Sequence, residues 1–526
     1  MRAAVLPLLA ALAGAAWGAE VGAKHLIVCD AGSTGTRLYV YSKEADGKLT
    51  GESLMKVKPG LSTFGPKPEE ATSYLLPLFE DAMDHLDPAV HAETEVYIMA
   101  TAGMRLIPAE QQTAVWDAVY YGLSTAGYDK FPFKIKRSSL STITGETEGF
   151  YAALASNQLS GRISAEAKPE DCDDGDGQSE PEEHEHELLG ALDLGGSSTQ
   201  IVFPVEDDAG CEDDEPSLRG KGPSGPKALR RNDFWVHSYL GFGAEKASEK
   251  AWAFISQTFE EDPCSNPGVT REVAMKSLAG AGNGETCRDA LGKMLFGAKA
   301  DECEDHPGSS SCQVEGVPVP ARAARVRFLA MSVYFYAMDC VRVLVAALET
   351  KQAQENLTPT GDERSALPSM SWPTPSLAEM EAVVDYFCAI PWDEGKLLWV
   401  KDDGSTVHDF TDADSLPDTC LRANYVIVLL GEVYGIPRDS HRVTIVQEVN
   451  GEEVEWTRGA ALSVMSGGHS AYIDAAVASP IVFSTPFMGG GVVCLLIVLY
   501  MFAEMRKRRG CSKMSSLAPG GKRAKP

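Results

Sequence analysis

Residues Leu188–Phe203 have the sequence LLGALDLGGSSTQIVF, which repeats a pattern present earlier in the chain at Leu26–Tyr41, LIVCDAGSTGTRLYVY. Each copy begins with an apolar run that predicts a buried strand, and each run ends in an aspartate, Asp30 or Asp193. A loop of glycine, serine and threonine follows, and a second strand follows the loop. The repeat predicts two matching strand–loop–strand units.

The composition of these two loops points to anion binding. Glycine and small hydroxyl residues let backbone N–H groups crowd around an anion, and an aspartate at the end of a strand can hold a cation directly or through water. One such loop alone is weak support, because ordinary hairpin turns have similar sequences. Neither loop is a Walker loop, because a strand follows it instead of a helix. Two copies predict a cleft in which both loops grip a metal–polyphosphate.

Length and charge narrow the function further. A chain of 526 residues exceeds one comfortable hydrophobic core, so we expect two lobes. The formal net charge of −28 argues against a nucleic-acid partner, because phosphate contacts along a duplex need a basic face. A small phosphorylated substrate is compatible with this charge if a divalent cation and a few local arginine, serine or threonine side chains offset the repulsion.

The two ends of the chain predict export and membrane anchoring. Residues 1–19 are typical of a signal peptide, with an uncleaved N-terminal anchor as the alternative. The uncharged stretch 475–503 is long enough to cross a bilayer, and the basic cluster after it should stay cytoplasmic. We therefore predict a transmembrane helix at 481–503, a cytoplasmic tail at 504–526 and a lumenal or extracellular main body.

Cysteines and a sequon agree with that compartment. In an oxidising compartment most lumenal cysteines should pair, although spacing alone does not give the connectivity. Asn356-Leu-Thr358 is a glycosylation sequon. Ten of the twelve cysteines precede the predicted membrane helix: Cys29, Cys172, Cys211, Cys264, Cys287, Cys303, Cys312, Cys340, Cys388 and Cys420.

Two further segments carry candidate site residues. Val96–Ala100 predicts a strand that leads into a small-residue turn, where Arg105 can reach a phosphate; a surface arginine at a helix start is the alternative. Ile143–Tyr151 predicts the start of a helix with two carboxylates, Glu146 and Glu148, next to glycines. We expect the glycines to give a substrate access to the backbone and to leave a general base exposed. Helix-dipole complementation is the alternative, and the spacing does not choose between the glutamates.

Other segments of the sequence predict the helices and loops that support the site. Val326–Leu348 is long and apolar with charged residues inside it, which predicts a buried core helix and not a second membrane span. Ser164–Glu187 and Glu206–Lys227 are acidic or turn-rich, which predicts solvated loops. Other predicted helices cover Glu69–Leu86, the residues after Pro108, and Ser376–Phe387.

Five motifs, in this order, resemble the conserved regions of the nucleoside triphosphate diphosphohydrolases, or apyrases. They are DAGSTGTRLYVY, ATAGMRL, GETEGFYAALASN, LDLGGSSTQIVF and WTRGAAL, and the blocks HSYLGFG and YFCAIPW fit as well. The resemblance extends from about Leu26 to Leu462. The motifs DAGSTGTR and HSYLGFG are more similar to the secretory-pathway and plant or protist members, several of which prefer diphosphates such as GDP and UDP.

The resemblance implies an α/β fold with two RNase-H-like lobes, as in the superfamily of actin, heat-shock chaperone ATPases and the acetate and sugar kinases. Lobe I would comprise residues 24–146 and 441–475, and lobe II residues 147–440. The implied activity is hydrolysis of nucleoside tri- or diphosphates, such as ATP, ADP, GDP and UDP, to lower phosphates with Ca²⁺ or Mg²⁺. The implied location is the Golgi or another endomembrane, or the plasma membrane.

The resemblance also implies roles for single residues. Glu148 would be the general base and Gln200 would position the attacking water, while Asp30 and Asp193 would hold the metal through its waters. Cys388 and Cys420 would form a disulfide. The residues implied to bind phosphate are Ser33, Thr34, Gly35, Thr36, Thr101, Arg105, Gly195, Gly196, Ser197, Ser198 and Thr199.

Two departures concern the nucleobase. Ala153 stands where the family commonly has tryptophan, and Thr419 stands where a base-stacking tyrosine is often found. These departures imply that base recognition shifts to Tyr334–Tyr336. The competing functions are an exopolyphosphatase-like hydrolase or sugar kinase on the same scaffold, and a membrane-tethered receptor that binds nucleotides without turnover.

Overall fold

The computed structural model describes seven segments of the chain: residues 24–45, 47–164, 187–205, 219–222, 225–297, 313–354 and 368–466. The predicted signal peptide, transmembrane helix and tail, the sequon at Asn356 and most of both acidic inserts lie outside these segments. Within the described segments, no helix combines the length and apolarity that a membrane crossing requires.

The first repeat lies at the centre of a five-stranded sheet. Its spatial order is Leu49–Val57 (β3), Thr36–Lys43 (β2), Lys24–Ala31 (β1), Glu95–Ala100 (β4) and Lys134–Thr142 (β5). Strand β2 is antiparallel to both of its neighbours, whereas β1, β4 and β5 run parallel to one another.

The second repeat lies at the centre of a second five-stranded sheet. Its spatial order is Phe234–Leu240 (β11), Ser198–Pro204 (β8), Gly190–Leu194 (β7), Phe328–Ser332 (β14) and Val443–Ile445 (β15). Strand β8 is antiparallel to both neighbours, and β7, β14 and β15 are parallel. The order and directions match those of the first sheet, which confirms the duplication predicted from the two motifs.

Shorter strands lie outside these sheets. Ile163–Ser164 (β6), Arg219–Gly222 (β9) and Gly225–Ala228 (β10) form one small sheet. Two hairpins pair Thr270–Val273 (β12) with Lys276–Ala279 (β13), and Glu448–Val449 (β16) with Glu452–Glu453 (β17).

The helices predicted near Glu69, Pro108 and Ser376 are confirmed. The α-helices of the described segments are Ala71–His85 (α1), Pro88–His91 (α2), Ala102–Arg105 (α3), Ala109–Ser124 (α4), Gly145–Leu159 (α5), Ala244–Thr258 (α6), Gly284–Phe296 (α7), Val333–Gln354 (α8), Leu377–Ala389 (α9), Trp392–Trp399 (α10), Thr419–Val428 (α11) and Trp456–Met465 (α12).

The prediction of one continuous helix over Val326–Leu348 is wrong in its first part. Phe328–Ser332 forms β14, a central parallel strand between β7 and β15, and α8 begins only at Val333. A strand buried on both faces is a continuous apolar run, so its sequence lacks the alternation that distinguishes an exposed strand from a helix.

Strand β15 also bears on the predicted lobe boundaries. Val443–Ile445 pairs with β14 in the second sheet, although the boundary at residue 441 assigns it to lobe I. By contrast, α12 contacts β1 and β2 of the first sheet. The chain therefore leaves the second sheet only after Ile445.

Each sheet has its own apolar core on one face. Ile27 and Cys29 of β1 belong to the core of the first sheet, and Leu192 and Leu194 of β7 belong to that of the second. Side chains alternate between the two faces of a strand. Asp30 and Asp193 therefore each lie on the face of their own sheet that points away from its core. Helices α5 and α12, which contact each other, occupy the space beside those faces. The two aspartates are therefore turned toward the region between the sheets.

Two disulfides stabilise the second half of the chain. Cys388 and Cys420 join α9 to α11 with an S–S distance of 2.06 Å, which confirms the implied pair. Cys264 pairs with Cys287. Cys29 and Cys340 are buried free thiols. Of the six described cysteines four are paired, and the other four of the ten cysteines before the predicted membrane helix lie outside the described segments.

Candidate active site

The two aspartates occupy equivalent positions in their hairpins. Asp30 stands opposite Arg37 in the β1–β2 ladder, and Asp193 stands opposite Gln200 in the β7–β8 ladder. The loops between the strands are short, at residues 32–35 and 195–197. Each aspartate is the penultimate residue of its strand, so it sits directly beside its loop.

The two loops meet. A Cβ atom placed on Gly196 of the second loop would lie 2.7 Å from Ser33 Oγ and 3.2 Å from Thr34 Cγ2 of the first loop. A larger residue than glycine at this position would force the Ser33 side chain to move. The contact confirms the prediction that the loops face each other.

Several loop amides are free to bind a ligand. Gly195 and Gly196 turn their carbonyl oxygens to the N-terminus of α6, where Ala244 and Glu245 donate to them at 2.8 and 2.9 Å. The N–H groups of Ser33, Thr34 and Gly35, and those of Gly196 and Ser197, donate to no other described residue. Two sets of uncommitted N–H groups on facing loops form a cradle for an anion.

Glu148 lies at the centre of a hydrogen-bonded cluster. Its Oε2 accepts from Arg105 Nη1 at 2.9 Å and from Gln200 Nε2 at 3.1 Å. Ser198 Oγ accepts from Arg105 Nη2 at 2.9 Å and from Gln200 Nε2 at 2.8 Å. The cluster joins α3, α5 and β8, so residues from both halves of the chain hold the Glu148 carboxylate.

Charge and burial shift the acidity of this cluster. Burial raises the pKa of Glu148 to about 7; the adjacent Arg105 opposes the rise, while Asp193 and Asp30 add to it. Burial likewise raises the pKa of Asp30 to about 7 against the effect of Arg37, with a further increase from Asp193. Carboxylates that perturb one another in a shared cleft are typical of a catalytic or metal-binding site.

Comparison with known proteins agrees with this geometry. The family model described as GDA1/CD39 (nucleoside phosphatase) matches residues 19–472. The chain belongs to the GDA1/CD39 family. It is accordingly a hydrolase of phosphoric anhydrides that acts on nucleoside phosphates, as the motifs implied.

Two curated relatives and one solved structure show the extent of the similarity. Nucleoside-triphosphatase ntp-1 of Caenorhabditis elegans is 26% identical over 460 residues, covering 84% of this chain and 73% of the relative. The Golgi apyrase of Saccharomyces cerevisiae is 27% identical over 495 residues, covering 84% and 70%. The crystal structure of nucleoside triphosphate hydrolases from Neospora caninum aligns with a TM-score of 0.55 at 16% identity, covering 86% and 95%. This last similarity shows the two-lobed, actin-like α/β fold.

The structure corrects one expectation about Glu148. We expected an exposed carboxylate with glycines open to a substrate, but Glu148 is only 6% exposed. A Cβ on Gly145 would lie 2.1 Å from Ser238 Oγ, and one on Gly149 would lie 2.8 Å from Val236 Cγ1. These glycines let α5 pack closely on β11. Glu148, not Glu146, is the glutamate that this packing brings to Arg105 and Gln200.

Some residues of the implied phosphate site already make hydrogen bonds to other residues of the protein. Thr199 Oγ1 donates to the Asp193 carbonyl at 3.0 Å, and Thr36 Oγ1 accepts from Tyr74 at 3.2 Å. Both threonines are fully buried, whereas Thr101 is 6% exposed and its N–H donates to Ala31 O at 3.3 Å beside the first loop. The hydroxyls of Thr36 and Thr199 therefore anchor the loops.

The residues predicted to bear on base recognition differ in burial. Tyr334 is fully buried, with its hydroxyl 3.3 Å from that of Tyr434, so it does not face the cleft. Tyr336 is half-buried and its ring lies 5.8 Å from that of Phe410, which is 50% exposed. Ala153 and Thr419 are both buried, so neither offers a surface for a base.

Four charged residues near the first loop were not singled out from the sequence. Arg37 Nη1 contacts Glu455 Oε1 at 3.4 Å and Glu453 Oε1 at 3.3 Å. Lys56 stands opposite Arg37 in the β2–β3 ladder. In a hairpin with a four-residue loop at 32–35, Asp30 pairs with Arg37, so this pair could have been deduced from the sequence. Nothing in the sequence indicates that the segment before Trp456 returns to β2.

Proposed function

We propose that this chain cleaves the terminal anhydride of nucleoside tri- and diphosphates by in-line attack of water, with Glu148 as the general base. The observation that carries the proposal is the position of Glu148 in a cluster that also includes Ser198 of the second hairpin. The loop of that hairpin contacts the first loop at Ser33. A buried carboxylate with a pKa near neutrality is suited to take a proton from water near physiological pH.

The residues fit a divalent cation. Asp30 Oδ1 is buried and has no hydrogen-bond partner in the described segments, and a buried carboxylate oxygen left in that state is costly. The donor set of two carboxylates suits hard cations such as Ca²⁺ or Mg²⁺, with waters completing the shell. We assign Asp30 and Asp193 to hold such a cation through its waters. When bound, the cation supplies positive charge that orients the phosphates and offsets charge on the transferring group.

The loops would divide the substrate between them. The uncommitted N–H groups of Ser33, Thr34 and Gly35 bind one phosphate group, and those of Gly196 and Ser197 bind the other. The Ser33 and Ser197 hydroxyls add donors. The other residues implied to bind phosphate would support the positions of the two loops. They are Thr36, Thr101, Gly195, Ser198 and Thr199.

Gln200 would orient the attacking water. Its Nε2 must face Glu148, because a carboxylate only accepts hydrogen bonds, and the same Nε2 donates to Ser198 and Ser238. This orientation leaves Gln200 Oε1 buried without a partner among the described residues. Oε1 accepts a hydrogen bond from one O–H of the attacking water, and Glu148 takes the proton of the other O–H as the oxygen attacks phosphorus. Arg105 keeps the Glu148 carboxylate in place.

The disulfides and the relatives of this chain support a proposal for its cellular location. Two buried disulfides indicate an oxidising compartment, and relatives include a Golgi apyrase and an ectonucleoside triphosphate diphosphohydrolase. We place the described residues in the Golgi lumen or outside the cell. Residues 481–503 would provide a single-pass anchor and residues 504–526 a cytoplasmic tail.

A substrate panel on the full-length protein tests the proposal. Phosphate release from ATP, ADP, GDP, UDP and inorganic polyphosphate is measured with Ca²⁺, with Mg²⁺ and with a chelator. We expect metal-dependent release from nucleotides, and a loss of that release in the chelator. Turnover of polyphosphate alone would assign an exopolyphosphatase-like enzyme, and nucleotide binding without turnover would assign a receptor.

A further inference from the structure

A row of three charged side chains crosses the first sheet. Asp30 on β1 stands opposite Arg37 on β2, and Arg37 stands opposite Lys56 on β3. Residues directly opposite each other in a ladder point to the same face, with Cβ atoms about 4.5–5.5 Å apart. The row therefore extends from the metal-binding aspartate outward along the face that carries the cleft.

The second sheet contains the equivalent row with different chemistry. Asp193 on β7 stands opposite Gln200 on β8, and Gln200 stands opposite Ser238 on β11. Gln200 Nε2 donates to Ser238 Oγ at 2.9 Å and to Glu148 at 3.1 Å. The row in the second sheet is thus neutral beyond its aspartate and connects to the general base, whereas the row in the first sheet carries two cations.

Lys56 lies directly over the first loop. A Cβ on Gly35 would be 3.1 Å from Lys56 Cε and 2.6 Å from the Val57 carbonyl oxygen, so the lysine stem packs against the loop backbone. Lys56 makes no hydrogen bond or ion pair within 4 Å to another described residue through its ammonium group. Asp30 and Glu455 attract this ammonium group electrostatically, and Arg37 and Lys58 repel it.

The two described arginines of the cleft already bond to other side chains. Arg105 bonds to Glu148 and Ser198, and Arg37 bonds to Glu453 and Glu455. A polyphosphate entering this cleft meets several carboxylates, and the repulsion must be offset by groups that have no other partner. Lys56 and Lys58 both lie beside the first loop without such a partner among the described residues, and the Lys56 stem reaches this loop as far as its Cε.

We propose that Lys56 binds the polyphosphate chain of the substrate from the side of the first loop, which assigns to it a role in recognising phosphate and not base. This proposal rests on the proposed function, because it takes the two loops as the phosphate site. A charge-assisted contact of this kind strengthens substrate binding without taking part in proton transfer.

Steady-state kinetics of full-length Lys56→Met, Lys56→Arg and the matched control Lys58→Met test the assignment. Lys58 lies on the same segment, and its atom nearest to a Cβ on Gly35 would be Cγ, at 3.4 Å. We expect Lys56→Met to raise KM about tenfold with kcat within about threefold, as for loss of one charge-assisted contact. The rise should be the same for ADP, GDP and UDP, and it should be matched in the inhibition constant of pyrophosphate. Lys56→Arg should restore most of the affinity.

The proposal is overturned if Lys56→Met leaves KM within twofold of the wild-type value, or if Lys58→Met raises KM as much. A rise that differs between bases and is absent for pyrophosphate also overturns it. If the wild-type chain releases no phosphate from any nucleotide, the proposed function fails by itself. The dissociation constant of ADP with Ca²⁺, measured by calorimetry on wild type and Lys56→Met, then decides the role of Lys56.

Discussion

The two aspartate hairpins share a backbone design and differ in what surrounds it. In both, the aspartate precedes a short loop and faces a residue of the returning strand, Arg37 in the first and Gln200 in the second. Arg37 adjoins Lys56, whereas Gln200 bonds to Glu148. The two hairpins thus share the same backbone and differ in the residues of the neighbouring elements. In the proposed account both loops bind phosphate, the first hairpin adds Lys56 to this binding, and the second positions the general base.

The strands around the two hairpins also differ in how far their residues are buried. Every residue of β8 is buried, whereas β3, which carries Lys56, is half-exposed or exposed along most of its length. A general base gains from a dry setting, because desolvation raises its pKa, whereas a substrate must enter from solvent. The exposed edge strand β3 is therefore compatible with the substrate-binding role proposed for Lys56.

Replacement of the general base should have the largest effect and test the second hairpin's role. In Glu148→Gln we expect hydrolysis to fall about 10²–10⁴-fold, the usual contribution of a positioned base, while nucleotide binding persists because the loops are unchanged. Phosphate release and calorimetric binding measure the two quantities. Glu146→Gln is the matched control and should keep wild-type turnover. Full activity of Glu148→Gln would show that the carboxylate bonded to the second hairpin is not the general base.

Replacement of Gln200, the residue proposed to orient the attacking water, should have the second largest effect. Gln200→Leu keeps the approximate volume of the side chain and removes the donors to Glu148, Ser198 and Ser238. We expect kcat to fall about 10–100-fold from misplacement of the reacting groups. KM should change less than about twofold, the reverse of the pattern expected for Lys56→Met. If both variants alter the same kinetic constant, the division between the hairpins is wrong.

A methyl group added between the loops should have a smaller effect. Gly196→Ala forces a Cβ to within 2.7 Å of Ser33 Oγ, whereas a Cβ on Gly195 meets nothing closer than Ser198 O at 3.4 Å. Displacement of Ser33 would misplace a phosphate held by the first loop, so we expect kcat/KM to drop about tenfold in Gly196→Ala. Gly195→Ala should stay within about threefold. Equal kinetics of the two variants would show that the loops do not close on a common substrate.

The pH profile should show the smallest change. Because Glu148 must be deprotonated to act and its pKa is raised to about 7, kcat/KM should fall as the pH decreases below neutrality. Arg105 lowers the pKa of Glu148, so Arg105→Met should move this acidic limb to higher pH. Measurement of kcat/KM from acidic to alkaline pH checks the direction, and a limb that moves to lower pH would contradict it.

The sequence predicted the duplicated hairpins and their meeting because each motif contains its own strand, aspartate and loop. It did not predict β14, since a strand buried on both faces has no periodicity that distinguishes it from a helix. It also could not show that Gly145 and Gly149 serve packing, because the surface they touch, β11, lies far along the chain. Lys56 and Glu455 were missed for the same reason, because their partners are set by strand pairing and by the return of the chain to β2.

The most direct test of the account is a crystal structure of the full-length Glu148→Gln protein with Ca²⁺ and ADP. The account predicts phosphate oxygens within hydrogen-bond distance of the N–H groups of both loops, at residues 33–35 and 196–197, and a cation whose waters contact Asp30 and Asp193. Phosphates bound to one loop only, or a cation outside the reach of either aspartate, would contradict it.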